Sequence, residues 1–198
     1  MKTSTRVALA SGAALGAVLA TSEMASSSVE RNALALDDLL PVLTEARVAQ
    51  DALPESEAID DLEGLHKDEA RFLGESRAVK YWAAPYLDDR VCLIESLKES
   101  QGTGVSCTTI ARFQQEGVGG VTGISDGTEL RKFEAYLLPS DMADAQIGLR
   151  EERDNSRSTS ESINLLTSGP GEPGLERDIY SRQDGSKFEF SPLTLEGE

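Results

Sequence analysis

Two cysteines, Cys92 and Cys107, are the residues whose chemistry is easiest to foresee in this chain. No C-x-x-C spacing occurs, so the sequence gives no support to a thioredoxin-like or zinc-ribbon site. A nucleophilic cysteine would need an activating base, and the only histidine, His66, would have to reach it. Outside the cytoplasm an even pair of cysteines usually closes. We therefore expect a structural disulfide between Cys92 and Cys107, with a reactive thiol as the alternative.

The other side chains capable of chemistry form no recognisable catalytic pattern. His66 alone cannot build a metal site, because such sites normally combine several His, Cys or carboxylate ligands. Three acidic pairs, Asp37-Asp38, Asp60-Asp61 and Asp88-Asp89, could bind Ca²⁺ or act as a glycosidase couple. Nothing in the sequence brings two of them together, and solvated turns are the favoured interpretation. We predict no catalytic residue, no metal site and no cofactor.

Tyr81 and Trp82 are the residues that could contact a partner. Because they are adjacent on an expected strand, their rings would point to opposite faces of a sheet. One ring should be in the core. The other could be a partly exposed anchor, since exposed aromatic side chains are often binding hot spots. Ordinary packing of both rings is the favoured interpretation, and contact with a partner is the alternative.

The first twenty residues resemble a secretory signal. Residues 1–6 carry two positive charges and no acid, and residues 7–20 are uncharged and rich in Ala, Leu and Val. Such a start, followed by small residues near Ala20, is typical of a cleaved signal peptide. The apolar run is shorter than the roughly 20 residues that a membrane span needs. An uncleaved anchor and a cytosolic protein are the alternatives. We expect the rest of the chain to be extracytoplasmic, either secreted or anchored at the outer face of the cytoplasmic membrane.

The charge balance restricts the partners. A formal net charge of −16 at pH 7 repels nucleic-acid phosphates and anionic lipid headgroups. We therefore expect no nucleic-acid partner, and membrane contact only through an uncleaved N-terminal segment. Solubility explains the acidity, and a basic partner or weak Ca²⁺ binding is the functional alternative.

The remaining chain divides by composition. Residues 21–68 read as an extracytoplasmic spacer with a short amphipathic helix, because Leu36, Leu39, Leu40 and Leu43 fall at helical spacing up to about Gln50. Residues 69–139 form the disulfide-containing β-rich domain. Residues 140–167 are a polar segment with a possible last strand near its end. Residues 168–198 should be mostly disordered, since a hairpin of two isolated strands is marginal alone.

Within 69–139, alternating and apolar runs predict a series of strands, and residues 90–97 should be central. A short helix is expected over residues 108–116, capped by Thr108 or Thr109 and stopped at Gly117. We predict an α+β fold in which a small antiparallel β-meander carries one or two short helices and one disulfide.

Short pieces between Arg71 and Pro139 have a familiar layout. They are a Tyr-Trp pair at 81, Val-Cys-Leu-Ile at 91, Ser-Cys at 106, Phe113 ahead of Gly117, and Ala-Tyr-Leu-Leu-Pro at 135. This layout resembles uncharacterised small exported or membrane-anchored actinobacterial proteins. The resemblance implies an extracytoplasmic domain with a cysteine pair and carries no site. We predict a non-enzymatic module that binds a protein or envelope component. The alternative is a secreted hydrolase using a carboxylate pair.

Overall fold

The computed structural model describes residues 34–98, 102–125, 127, 130–142, 164–172 and 174–193. The expected signal segment lies outside these residues. Nine strands are described, in two antiparallel sheets and one hairpin, together with three short α-helices. This confirms the α+β class and the predicted meander. Among the described residues, no helix combines the length and apolar character that a membrane crossing requires.

The first sheet is a four-stranded meander in chain order. Its strands are β1 (Arg71–Glu75), β2 (Val79–Tyr86), β3 (Arg90–Leu97) and β4 (Thr103–Thr109). Strand β3 lies between β2 and β4 and is almost wholly buried, as its run of apolar residues predicts. The alternation of β2 also holds, because Tyr81 and Trp82 belong to hydrophobic clusters on opposite faces of this sheet.

A helix connects the first sheet to the second. Helix α3 (Ile110–Glu116) begins at Thr109, whose side chain accepts a hydrogen bond from the Arg112 backbone N–H, as predicted. It ends at Gly117, where φ is +74° and a Cβ would lie 2.7 Å from the Leu137 carbonyl oxygen. Glycine is therefore required there both for the backbone conformation and for space.

The second sheet contains β5 (Val118–Ser125), β6 (Leu130–Leu138) and β7 (Asn164–Ser168), in that order. The predicted last strand near residue 163 is thus β7, paired with β6. One face of the second sheet packs against the first sheet. The apolar residues of this contact include Val79, Tyr81, Val91 and Leu93 from the first sheet and Val118, Phe133, Ala135, Leu137 and Leu165 from the second.

The C-terminal residues correct the prediction of a mostly disordered segment from 168 to 198. Strands β8 (Asp178–Ser181) and β9 (Lys187–Phe190) form an antiparallel hairpin. Phe188 and Phe190 are buried against Tyr136 and Leu138 on the second face of the second sheet. A hairpin that is marginal alone is stabilised when such an apolar surface covers it.

The predicted amphipathic helix from Leu36 to about Gln50 is broken into pieces. Helix α1 spans Leu36–Leu39, a 3₁₀ turn spans Pro41–Thr44, and another spans Ala49–Asp51. Pro41 causes the first break, because a proline disfavours helical backbone at the residue before it, and Leu40 has φ −137° and ψ 75°. Helix α2 (Glu57–Asp60) and a 3₁₀ turn at Lys67–Glu69 follow.

The described part of the expected spacer also belongs to the folded core. Leu39, Leu40, Val42 and Leu43 join the cluster between the two sheets. Ile59 and Leu65 pack on the opposite, outer face of the first sheet, beside Trp82. The folded unit therefore begins well before residue 69.

Candidate functional site

Among the described residues, a depression with a volume of about 550 Å³ lies on the outer face of the first sheet. We call it the Trp82 depression. It opens between the ends of β1, β2 and β3 and the segment after the second 3₁₀ turn. Its lining residues are Ala52, Pro54, Glu75, Lys80, Trp82, Ser96, Leu97 and Lys98.

A row of polar residues crosses the first sheet at this depression. Glu75, Lys80, Ser96 and Thr103 are successive register partners across the four strands. Directly opposed residues of antiparallel strands lie on the same face of the sheet. Thr103 lines a second depression of about 370 Å³ with residues 55–58. The two depressions are therefore neighbours on one row of side chains.

Trp82 is held rigidly at the wall. It is 4% exposed, and its Nε1–H donates a hydrogen bond of 3.0 Å to the Gln50 carbonyl oxygen. Phe72 contacts its ring edge to face at a centroid distance of 5.5 Å. The neighbouring carboxylate of Asp51 accepts hydrogen bonds from the backbone N–H groups of Val48 and Phe72. These contacts attach the segment around residue 50 to the edge strand β1.

The two lysines of the depression differ in their partners. Lys98 forms an ion pair with Glu75 at 3.0 Å. Lys80 is exposed and has no ion pair among the described residues. The ammonium group of Lys80 is thus available to an anionic group that enters beside Trp82.

A second polar side chain, Glu95 on β3, lies between the two sheets and is 1% exposed. Its Oε1 has no hydrogen-bond partner in the described structure. Burial raises the pKa of Glu95 to about 8. Burial also raises the pKa of its register partner Tyr81 to about 12, although the hydrogen bond between the Tyr81 and Ser76 hydroxyl groups opposes that shift.

The predicted disulfide is formed. Cys92 on β3 and Cys107 on β4 are register partners and are joined by an S–S bond of 2.00 Å. A closed pair indicates an oxidising environment, and it leaves no thiol for the alternative of a nucleophilic cysteine.

Both aromatic rings considered as possible partner contacts are in the core. Tyr81 is 1% exposed and faces the second sheet, and Trp82, which lines the Trp82 depression, is 4% exposed. Neither ring is the exposed anchor that the sequence left open. Contact of Tyr81 or Trp82 with a partner stays a prediction.

The other residues considered at the sequence level are not brought together. His66 lies 3.3 Å from Glu69 on the surface. None of the three acidic pairs lines either depression. Within the described ranges, no three His, Cys, Asp or Glu side chains are clustered as metal ligands would be.

Lys80 was not identified from the sequence as a candidate binding residue, nor was Glu95 identified as a buried carboxyl group. Lys80 precedes Tyr81 and Trp82 and gives no signal beyond the polar half of an alternation. Glu95 carries a clearer signal, because the alternation of Val91, Leu93 and Leu97 places it on the same buried face.

Comparisons of this chain with protein-family models, with curated proteins and with solved structures gave no match.

Proposed function

We propose that this chain is a non-enzymatic, extracytoplasmic binding module, and that the Trp82 depression takes a carboxylate-bearing segment of a protein or envelope component. The observation that carries the proposal is the exposed Lys80 ammonium, without an ion pair among the described residues, in a depression that it shares with Trp82, whose ring is held by the Gln50 carbonyl. A volume of about 550 Å³ is within the range of ligand sites.

The surrounding charges favour a single carboxylate as the anionic group. Glu75 neutralises Lys98, while Glu55 and Glu57 line the neighbouring depression. A more highly charged anion such as a phosphate would be repelled by these carboxylates and by the net charge of −16. Ala52 and Pro54 add apolar lining, so a carboxylate on a short apolar stem matches the depression best.

The disulfide supports an extracytoplasmic location, because such bonds persist in oxidising compartments. Export through the N-terminal segment is part of the same proposal. Fractionation of native cells that finds the protein only in the cytosol would exclude it.

The binding proposal can be tested by fluorescence, because Trp82 is the only tryptophan. The protein is titrated with N-acetylated tripeptides that end in a free carboxylate, and with the same peptides as C-terminal amides. We expect the carboxylates to change the Trp82 emission in a salt-dependent manner. Lys80→Met should weaken this binding roughly tenfold or more, because a hydrogen bond to a charged group is lost.

Lys187→Met is the matched control, since Lys187 is exposed on the C-terminal hairpin, away from the depression. Equal responses to amides and carboxylates, equal binding by Lys80→Met, or no response at millimolar peptide would each overturn the proposal.

The hydrolase alternative has no specific observation in its favour. It requires two carboxylates that converge in one concave site. Glu75 is the one carboxylate among the residues lining the Trp82 depression, and it is paired with Lys98.

A further inference from the structure

Glu95 occupies a position where a charged group is poorly accommodated. It lies on the face of β3 that packs against the second sheet, between the apolar side chains of Leu93 and Leu97. Its side chain is buried, and Oε1 has no hydrogen-bond partner in the described structure. A buried carboxylate without a partner is costly, so this site favours the neutral acid.

Two glycines make room for the carboxyl group. A Cβ on Gly120 of β5 would lie 2.7 Å from Oε2 of Glu95, and a Cβ on Gly104 of β4 would lie 3.3 Å from the same oxygen. Gly120 pairs with Ala135 on β6, so the second sheet presents small residues here. The carboxyl group is therefore part of the contact between β3, β4 and β5.

The groups around Glu95 offer no compensating positive charge within the described part of the chain. From β2, Tyr81 is the titratable residue opposite it, and Glu172, in the loop after β7, acts electrostatically on that tyrosine. From β6, Tyr136 is also affected by Glu95. From β4 and β5, the residues beside the Glu95 carboxyl group are Gly104 and Gly120, neither of which titrates.

We propose that Glu95 makes the contact between the two sheets sensitive to pH. With the carboxyl group protonated, β3 packs closely against Gly104 of the same sheet and Gly120 of the second sheet. Ionisation at mildly alkaline pH places an unpaired charge in this contact and loosens it. The proposal is independent of the ligand proposed for the Trp82 depression.

The direction of the pH effect follows from the two protonation equilibria. Unfolded chains release the Glu95 proton near pH 4.5, whereas burial raises the folded-state pKa to about 8. Between these values the unfolded state is ionised and the folded state keeps its proton. The contribution of Glu95 to the free energy of unfolding is therefore fully present below pH 4.5 and is lost progressively as the pH rises to about 8. Above that pH no further loss is expected.

Urea unfolding at pH 6 and pH 9 tests the proposal, with Glu95→Gln as the neutral isostere. We expect the unfolding equilibrium constant of the wild type to rise on the order of 100-fold more than that of Glu95→Gln over this interval. Glu189→Gln is the control for loss of one carboxylate, because Glu189 is exposed on β9. It should retain the wild-type pH dependence. Hydrogen exchange, corrected for the intrinsic rate, should accelerate in β5 at pH 9 in the wild type and not in Glu95→Gln.

A second measurement does not depend on any variant. Carboxyl carbon NMR of the wild type should show one glutamate titrating near pH 8. Parallel pH curves for the wild type and Glu95→Gln, or titration of every glutamate below about pH 5.5, would overturn the proposal.

Discussion

At the level of single residues, the contact between Glu95 and Gly120 can be measured by a double-mutant cycle. Gly120→Ala places a Cβ 2.7 Å from the Glu95 carboxyl oxygen, and the packed sheets leave that side chain little room to move. We expect Gly120→Ala to reduce the free energy of unfolding by about 1–3 kcal/mol, as overpacking usually does. In a Glu95→Ala background the same change should cost much less, because the added methyl group enters vacated space.

Gly174→Ala is the control for this cycle, since a methyl group added there would have no atom of the described residues within 4 Å. Urea unfolding of the four proteins of the cycle gives the coupling energy. A cost of Gly120→Ala that is the same with and without the glutamate side chain would show that the two residues do not contact.

The chemistry of individual residues was only partly predictable from sequence. The cysteine pair was predictable, because two cysteines allow one pairing. The buried position of Glu95 was implied by strand alternation, but its lack of a partner in the described structure depends on Gly104 and Gly120, which lie on other strands. Lys80 becomes a candidate binding residue only because Trp82 and Pro54 line a depression beside it. Such surroundings are set by tertiary packing, which local spacing does not encode.

At the level of elements, the C-terminal hairpin depends on its buried aromatic side chains. Phe190 is 2% exposed and contacts Tyr136 edge to face at a centroid distance of 5.0 Å. We expect Phe190→Ala to cost about 3–5 kcal/mol if unfolding is global, because a large buried side chain is removed. Limited proteolysis should then cleave residues 174–193 first.

Ile179→Ala is the matched control on the partner strand β8, where the side chain is 58% exposed. It should change stability by less than about 0.5 kcal/mol. If Phe190→Ala leaves both urea stability and protease resistance unchanged, the hairpin does not contribute to the folded unit.

The segment around residue 50 depends on a buried carboxylate. Asp51 is fully buried and accepts hydrogen bonds from the backbone N–H groups of Val48 and Phe72. Asp51→Ala should reduce the free energy of unfolding by about 1–3 kcal/mol, because these donors lose their acceptor. The adjacent bond from Trp82 to Gln50 should loosen as well, so tryptophan emission should shift to longer wavelength.

Asp61→Ala, at an exposed position just after α2, controls for the loss of one acidic residue. An emission maximum and stability for Asp51→Ala equal to those of the control would show that the carboxylate does not hold the segment.

The elements themselves were predictable where the signal is local. The strands of the first sheet follow from alternation and turn residues, and α3 follows from Thr109 and Gly117. The predicted short amphipathic helix up to about Gln50 was wrong, because the spacing of the leucines was given more weight than the break at Pro41. The hairpin was underestimated because the surface that covers it, around Tyr136, is distant in sequence.

At the level of the whole molecule, the described residues form successive layers. Residues of the 53–65 segment cover the outer face of the first sheet, the two sheets share the central cluster, and the hairpin covers the second sheet. Fold class could be predicted from composition and strand spacing. The order of the layers could not be predicted, because the faces through which the sheets contact each other are decided by residues far apart in the chain.

The disulfide connects this architecture to the compartment in which the protein folds. Cys92 and Cys107 are 15 positions apart in the sequence, and a loop of that size is expected to stabilise the fold by about 3 kcal/mol. Reduction should therefore lower the urea midpoint of the wild type without any change of sequence. A Cys92→Ala/Cys107→Ala variant should be less stable than the oxidised wild type and unaffected by reductant, which makes it the control for direct effects of the reductant.

The same bond gives a direct test of the environment of the native protein. If the chain folds in an oxidising compartment, a thiol-labelling reagent should modify neither cysteine of protein taken from native cells and unfolded without reductant, since unfolding exposes Cys92, which the fold buries completely. Unfolding in the presence of reductant should then expose both. Labelling of both cysteines before reduction, or a urea midpoint that reductant leaves unchanged, would contradict the disulfide and with it the support for an extracytoplasmic location.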